Sequence, residues 1–253
     1  MTAFVLKIIA MVSMLCDHCS AVSILPESFW YLGRFAFPLY AMMLVESYRH
    51  LKDDPSRLKK YVISLTILAV ISEVAYDLAF AGTFVFMGGQ NQILQFLTFV
   101  LAAILADRIS VRPLKVFLWL AVIVLNQVFL MGYYALGIVT MLMLWWYLKR
   151  FLNKGVAIRL LVCSLIMIIY CVLCVAQEMY FNLFMYIQNR SIAINAFLSG
   201  VAGYSVTLLL IPVIALYKGQ YGNPPKWFRI VYRYFYPAHL FILALAEYML
   251  YRQ

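Results

Sequence analysis

The chain has 253 residues, 66% of them hydrophobic and only 12% charged, with 20 Lys and Arg against 10 Asp and Glu for a net charge of +10. A soluble domain carries about twice that charged share, which argues against a water-soluble globular protein. The basic residues fall in short loops rather than on one face, so the positive charge predicts no nucleic-acid partner.

A hydrocarbon core of roughly 30 Å requires about 20 apolar residues per crossing. The apolar runs predict an all-α, polytopic integral membrane protein of about nine transmembrane helices, at approximately 4–25, 29–50, 60–81, 92–109, 113–131, 133–149, 157–178, 192–217 and 229–251. No polar stretch is long enough to fold alone, so residues 1–253 are expected to form a single transmembrane domain in the lipid bilayer. Alternate connections carry the cations: Arg49, Lys52, Arg57, Lys59 and Lys60; Arg108, Arg112 and Lys115; Lys149, Arg150, Lys154 and Arg159; Lys218, Lys226 and Arg229. The other connections, 19–28, 82–91, 131–134 and 179–191, hold only Arg190. By the positive-inside rule the N-terminus is cytoplasmic and the C-terminus extracytoplasmic. The aromatic run from Met179 to Ile187 also suits the membrane interface.

Ionisable residues inside such spans are the informative ones, because each costs about 2.5–3.5 kcal/mol on insertion scales. The first helix carries Asp17 and His18, with Lys7 eleven residues earlier on nearly the same face and about 16 Å away along the axis. His18 suits a general base, since imidazole titrates closest to neutrality; a carboxylate would orient it. The competing reading is a structural Asp–His contact above a snorkelling lysine.

The second helix contains Gly33-Arg34-Phe35-Ala36-Phe37-Pro38, with Glu46 further on. Arg34 is either an interfacial anchor or the ion-pair partner of Asp17, Glu73 or Asp77. Pro38 is expected to kink the helix and release a backbone carbonyl. Glu73 and Asp77, at i and i+4, share a face of the third helix and can pair with a cation or tune one another. Gln90 and Asn91, in Gly88-Gly89-Gln90-Asn91-Gln92, are candidate hydrogen-bonding groups for a substrate, or simply a turn. His239 is a second intramembrane histidine. Cys16 and Cys19 flank His18, but no second thiol pair follows, so no metal is expected.

Taken together, Lys7 with Asp17-His18, the Gly33–Pro38 block with Glu46, Ser72-Glu73-Val74-Ala75-Tyr76-Asp77, and Tyr236-Pro237-x-His239-Leu240 resemble the TraX family, in order and across almost the whole chain. That family is named for an F-type pilin acetylase. Lys7-x10-His18 is also similar to a motif of other transmembrane acyltransferases. Gly132-Tyr133 ahead of Gly137-Ile138, and Gln92-Ile93-Leu94-Gln95, depart from the family pattern.

The resemblance implies a multi-pass protein of the bacterial cytoplasmic membrane that moves an acetyl group from acetyl-CoA, or another acyl-CoA co-substrate, to an extracytoplasmic protein or carbohydrate acceptor. His18 and Asp17 would be catalytic, and Lys7 would sit near the CoA phosphates. Arg34, Glu46, Glu73, Asp77, Gln90, Asn91 and His239 would supply a charge network or oxyanion contacts. Read without the resemblance, the same polar residues also suit a proton-coupled permease or a non-enzymatic surface-assembly protein.

Overall fold

The computed structural model of the chain describes residues 1–85, 88–188 and 190–251. Among the described residues, eleven α-helices follow in order: α1 (Ala3–Ala21), α2 (Phe29–Gly33), α3 (Ala36–Leu51), α4 (Pro55–Ala81), α5 (Gln92–Arg108), α6 (Arg112–Val128), α7 (Tyr134–Arg150), α8 (Val156–Gln188), α9 (Arg190–Ser205), α10 (Leu210–Ala215) and α11 (Lys226–Tyr251). A short 3-10 turn, Val206–Leu209, joins α9 to α10. There is no strand among the described residues, and the protein is all-α.

Among the described residues, four stretches are long and apolar enough to cross a membrane: Ala3–Ala21, Pro55–Ala81, Val156–Phe181 and Phe197–Ala215. The helices α5, α6 and α7 have 17 residues each, which at 1.5 Å per residue reach about 25 Å and sit at the short limit for a crossing. Large apolar side chains face outward where a soluble protein would place polar ones: Val12, Ile67, Val70, Leu161 and Val172 are all more than half exposed. That outward apolar coat is the surface of a membrane protein.

The local chemistry explains where the helices differ from the predicted spans. Asp54 accepts from the Arg57 backbone N–H at 3.0 Å, and Pro55 occupies the first helical position, so α4 begins ahead of the apolar run. Its far end stops at Gly82, whose φ of 64° is left-handed. The predicted span 29–50 is interrupted at Arg34 and Phe35. Pro38 lacks the N–H that would bond the carbonyl four residues back, at Arg34, and its ring crowds that carbonyl. The chain tightens there: Arg34 N–H donates to Tyr31 O at 3.4 Å and Phe35 N–H to Leu32 O at 3.2 Å, both i to i−3. Pro38 itself then lies in the first turn of α3, where a missing donor does no harm. The eighth helix runs on through the expected 179–191 connection as far as Gln188, and α9 resumes at Arg190. The backbone of the Met179–Ile187 run is thus helical; its side chains from Asn182 onward lie outside the described residues.

The chain divides into two compact units, one of Met1–Tyr40 with Trp146–Gly222, the other of Ala41–Trp145 with Asn223–Gln253. In the first, α1 packs on α2, and α8 on α9 and α10. Leu6, Ala10 and Met14 form the inward stripe of α1. Its opening turn is tied down by two backbone bonds, Ala3 N–H to Gln220 O at 2.8 Å and Phe4 N–H to Tyr221 O at 3.1 Å. Those bonds satisfy donors that a helix start leaves open. In the second unit α4 packs on α11 and α5, and α5 on α6.

Candidate functional site

In the first unit the last turn of α1 carries Asp17 and His18, both part-exposed. Arg34, in the break after α2, donates from Nη2 to Asp17 Oδ1. Their side chains are 11% and 20% exposed respectively. Arg34 Nε also donates to the Trp30 carbonyl at 3.4 Å, and the guanidinium lies over the Trp30 ring at 4.4 Å and near the Tyr204 ring at 5.9 Å. Trp30 and Tyr204 meet edge to face with centroids 6.0 Å apart. The arginine is therefore oriented by a carboxylate, a carbonyl and two aromatic rings, each of which suits its planar, delocalised charge.

Two glycines permit this packing. A Cβ at Gly33 would run into the Asp17 carboxylate, and one at Gly203 would run into the Trp30 ring. Both are close-approach positions rather than turns with unusual dihedrals.

Lys7 lies at the opposite end of α1. Its Nζ donates to the Tyr221 hydroxyl at 3.4 Å and sits 4.7 Å from that ring's centroid. The cation is thus held at the same segment that fastens the helix start.

In the second unit Glu73 and Asn91 are joined. Glu73 Oε2 accepts from both the backbone N–H of Asn91, at 3.1 Å, and its side-chain Nδ2. Asn91 is fully buried; its Nδ2 also donates to Ala69 O at 3.0 Å, and its Oδ1 accepts from Ile93 and Leu94 N–H at 2.8 and 3.1 Å. One asparagine therefore caps α5 and ties it to α4. The other Glu73 oxygen and the neighbouring Ser72 hydroxyl are buried without a hydrogen-bond partner. Asp77, one turn on from Glu73, is 3% exposed.

Gln90 contributes its backbone to a bridge with the 130–132 turn: its N–H donates to Leu130 O and its carbonyl accepts from Gly132 N–H, both at 3.0 Å. Next to that bridge lies a polar centre that the sequence reading left aside. Gln95, fully buried, donates from Nε2 to Asn126 Oδ1 at 3.2 Å, Met131 O at 2.9 Å and Tyr134 O at 2.7 Å. Its Oε1 accepts from Gln92 Nε2 at 2.9 Å and Tyr133 N–H at 3.1 Å. A Cβ at Gly137 would collide with the Gln95 amide, so this glycine is what lets the amide in. The available signal was an amide within an apolar run, one turn past Asn91, with Asn126 in another such run.

Glu46 is 6% exposed and pairs within its own helix, with Arg49 Nη1 at 2.8 Å and His50 Nε2 at 3.1 Å. His239 is 5% exposed; its Nδ1 donates to the Phe235 carbonyl at 2.7 Å and its ring stacks on Phe235. That bond places the proton on Nδ1 and makes Nε2 the basic nitrogen. The structure thus brings Arg34 onto Asp17, the residue before His18, at one end of α1, with Lys7 at the other, and joins Glu73 to Asn91 between α4 and α5. Glu46 and His239 each bond within their own helix. No group of three or more His, Cys, Asp or Glu placed to hold a metal ion occurs among the described residues.

A model of the TraX protein family matches residues 3–247, nearly the whole chain. The chain belongs to the TraX family. No curated protein matches it, and no solved structure does. The TraX-like blocks now have structural places. Lys7 to His18 lies in α1, Gly33 to Pro38 spans the break between α2 and α3, Ser72 to Asp77 lies in α4, and Tyr236 to Leu240 lies in α11. The first two meet in the Asp17–Arg34 ion pair.

Proposed function

We propose that this TraX-family protein is a membrane acyltransferase that moves an acetyl group from cytoplasmic acyl-CoA to an extracytoplasmic acceptor, a pilin N-terminal amine or a surface glycan hydroxyl. The observation that carries this reading is the Asp17–Arg34 ion pair adjoining His18 in a chain matched by the TraX family over 3–247. A buried cation held on the residue next to a candidate base supports the pairing that acyl transfer requires: one group takes a proton, the other meets developing negative charge.

The protein lies in the bacterial cytoplasmic membrane with about nine crossings, its N-terminus and basic loops in the cytoplasm and its C-terminus outside. Acyl-CoA enters from the cytoplasmic side, with Lys7 beside its phosphates and the thioester carried toward mid-membrane on the pantetheine arm. The acceptor N–H or O–H gives its proton to His18 as the nucleophile attacks the thioester carbonyl carbon. Arg34 stabilises the resulting oxyanion, and Asp17 holds Arg34 in position. The C–S bond then breaks, and the CoA thiolate takes the proton back from the imidazolium. Exclusion of water from the bundle limits hydrolysis of the thioester.

The test is transfer of labelled acetyl from acetyl-CoA by the purified protein in proteoliposomes. The acceptors are a peptide with a free N-terminal amine and an oligosaccharide, supplied on the extracytoplasmic face. Label on either supports the reading, and its absence from both defeats it.

A second reading is favoured by one observation. The buried Glu73 oxygen and Ser72 hydroxyl without partners, one turn from Asp77, suit a proton relay in a coupled permease. Such a protein would take up protons with its substrate and would not bind acyl-CoA.

A further inference from the structure

The start of α8 breaks the pattern of its surroundings. Ile158 is 47% exposed, while the next residue, Arg159, is 8% exposed. An apolar side chain faces out and a cation faces in. Arg159 Nη1 donates to the Tyr217 carbonyl at 2.8 Å, and no carboxylate pairs with it among the described residues. Its Nε is buried without a hydrogen-bond partner, and the hydroxyl of Tyr147, a fully buried residue at the end of α7, has no nitrogen or oxygen partner. Both groups neighbour the Cys163 thiol. Two buried donors of one unit, one of them charged, thus have only the Cys163 thiol, a weak acceptor, between them.

Burying a cation without a counter-charge is costly, and a hydroxyl left with only a weak acceptor adds to that cost. A helix-end clamp on the Tyr217 carbonyl would need only a neutral donor. A guanidinium offers five N–H groups in a fork that matches an oxyanion with several oxygens. The approach is electropositive as well. Lys218 follows Tyr217, Lys7 is held on Tyr221 of the same segment, and Lys149, Arg150 and Lys154 are exposed in the adjoining turn. Residues 147–160 and 216–222 contain no Asp or Glu.

We propose that Arg159 and Tyr147 form a phosphate-binding site at the cytoplasmic end of the first unit, with Arg159 as the charged anchor and Tyr147 as a second donor. The inference rests on the acyl-CoA reading for its ligand: the group bound is a phosphate ester of CoA. A phospholipid headgroup presents the same chemistry from a different source.

The experiment uses the full-length protein and two probes. Binding of CoA is measured by calorimetry in detergent. Thermal unfolding is measured in nanodiscs of phosphatidylcholine with and without phosphatidylglycerol. The variants are Arg159→Gln, Arg159→Lys and Tyr147→Phe. CoA affinity is expected to fall at least about tenfold in R159Q and about threefold in Y147F, with R159K between them, as loss of a charge-assisted and a neutral hydrogen bond requires. Y147F removes one oxygen only and preserves the test should R159Q fold poorly. If both variants bind CoA as tightly as the wild type, the site is overturned while the acyl-CoA reading stands. If the wild type ignores CoA yet phosphatidylglycerol stabilises it and not R159Q, the phosphate site stands with a lipid ligand and the acyl-CoA reading falls. If neither probe distinguishes the wild type from either variant, Arg159 is only a clamp on Tyr217 and the proposal is wrong.

Discussion

Arg34 pairs with Asp17 across 17 residues of sequence, while the face of its guanidinium rests on the ring of Trp30. The pair is mostly buried, so each charge depends on the other. Removing one partner of a buried pair costs about 3–5 kcal/mol, more than removing both. Asp17→Asn and Arg34→Gln are therefore each expected to lower the unfolding temperature strongly. The double variant should lose less than the sum, with a coupling of about 1–3 kcal/mol in a double-mutant cycle followed by thermal unfolding in detergent.

Gly33→Ala tests the same contact without touching a charge. The added methyl would enter the space of the Asp17 carboxylate, and the helices would have to separate or the aspartate would have to turn away. Destabilisation of about 1–3 kcal/mol is expected from such overpacking. Acetyl transfer should fall with it, whereas Gly155→Ala, where a Cβ meets nothing within 4 Å, should leave transfer unchanged.

Asn91 performs two tasks in the second unit, capping α5 and donating two hydrogen bonds to the Glu73 carboxyl. Asn91→Ala loses a cap, about 1 kcal/mol, and removes one of the two donors to the part-buried Glu73 Oε2, about 1–3 kcal/mol more. Asn91→Asp keeps the cap but sets two carboxylates together, and should be the worse of the two. Thermal unfolding of both variants beside Glu73→Gln settles the order.

The Gln95 amide makes five hydrogen bonds at the 126–134 turn. Gln95→Leu conserves most of the volume but leaves Asn126, the Met131 and Tyr134 carbonyls and the Tyr133 N–H short of partners. A loss of about 2–4 kcal/mol is expected from those unsatisfied groups. Proteolysis in the 128–134 turn should accelerate in the variant, since α6 and α7 are held together there.

Much of this architecture is written in the apolar runs, because a helix that must bury its backbone polar groups has no alternative in lipid. The helix ends are set by other chemistry. Asp54-Pro55 starts α4 before its apolar run begins, and Pro38 breaks the chain at Arg34, four residues before the proline itself. Asp17 is one of three partners open to Arg34 in the sequence, and the ion pair forms where Gly33 lets the Asp17 carboxylate come close. Glu46 illustrates the opposite limit. Its partners, Arg49 and His50, sit three and four residues on, a local pairing that helical spacing alone could have suggested. Gln95 and Arg159 passed unnoticed because a single amide in an apolar run, or one arginine among loop cations, carries no signal until its burial is known.

The central claim is that His18 takes the acceptor's proton beside the Arg34 charge. The most direct measurement compares wild-type protein and His18→Ala in proteoliposomes, with labelled acetyl-CoA inside and the amine acceptor outside, at matched protein folding. The account predicts acetyl transfer by the wild type and at least a hundredfold slower transfer by the variant, the lower end of about 10²–10⁴ for general-base catalysis. Transfer by His18→Ala at the wild-type rate would contradict it.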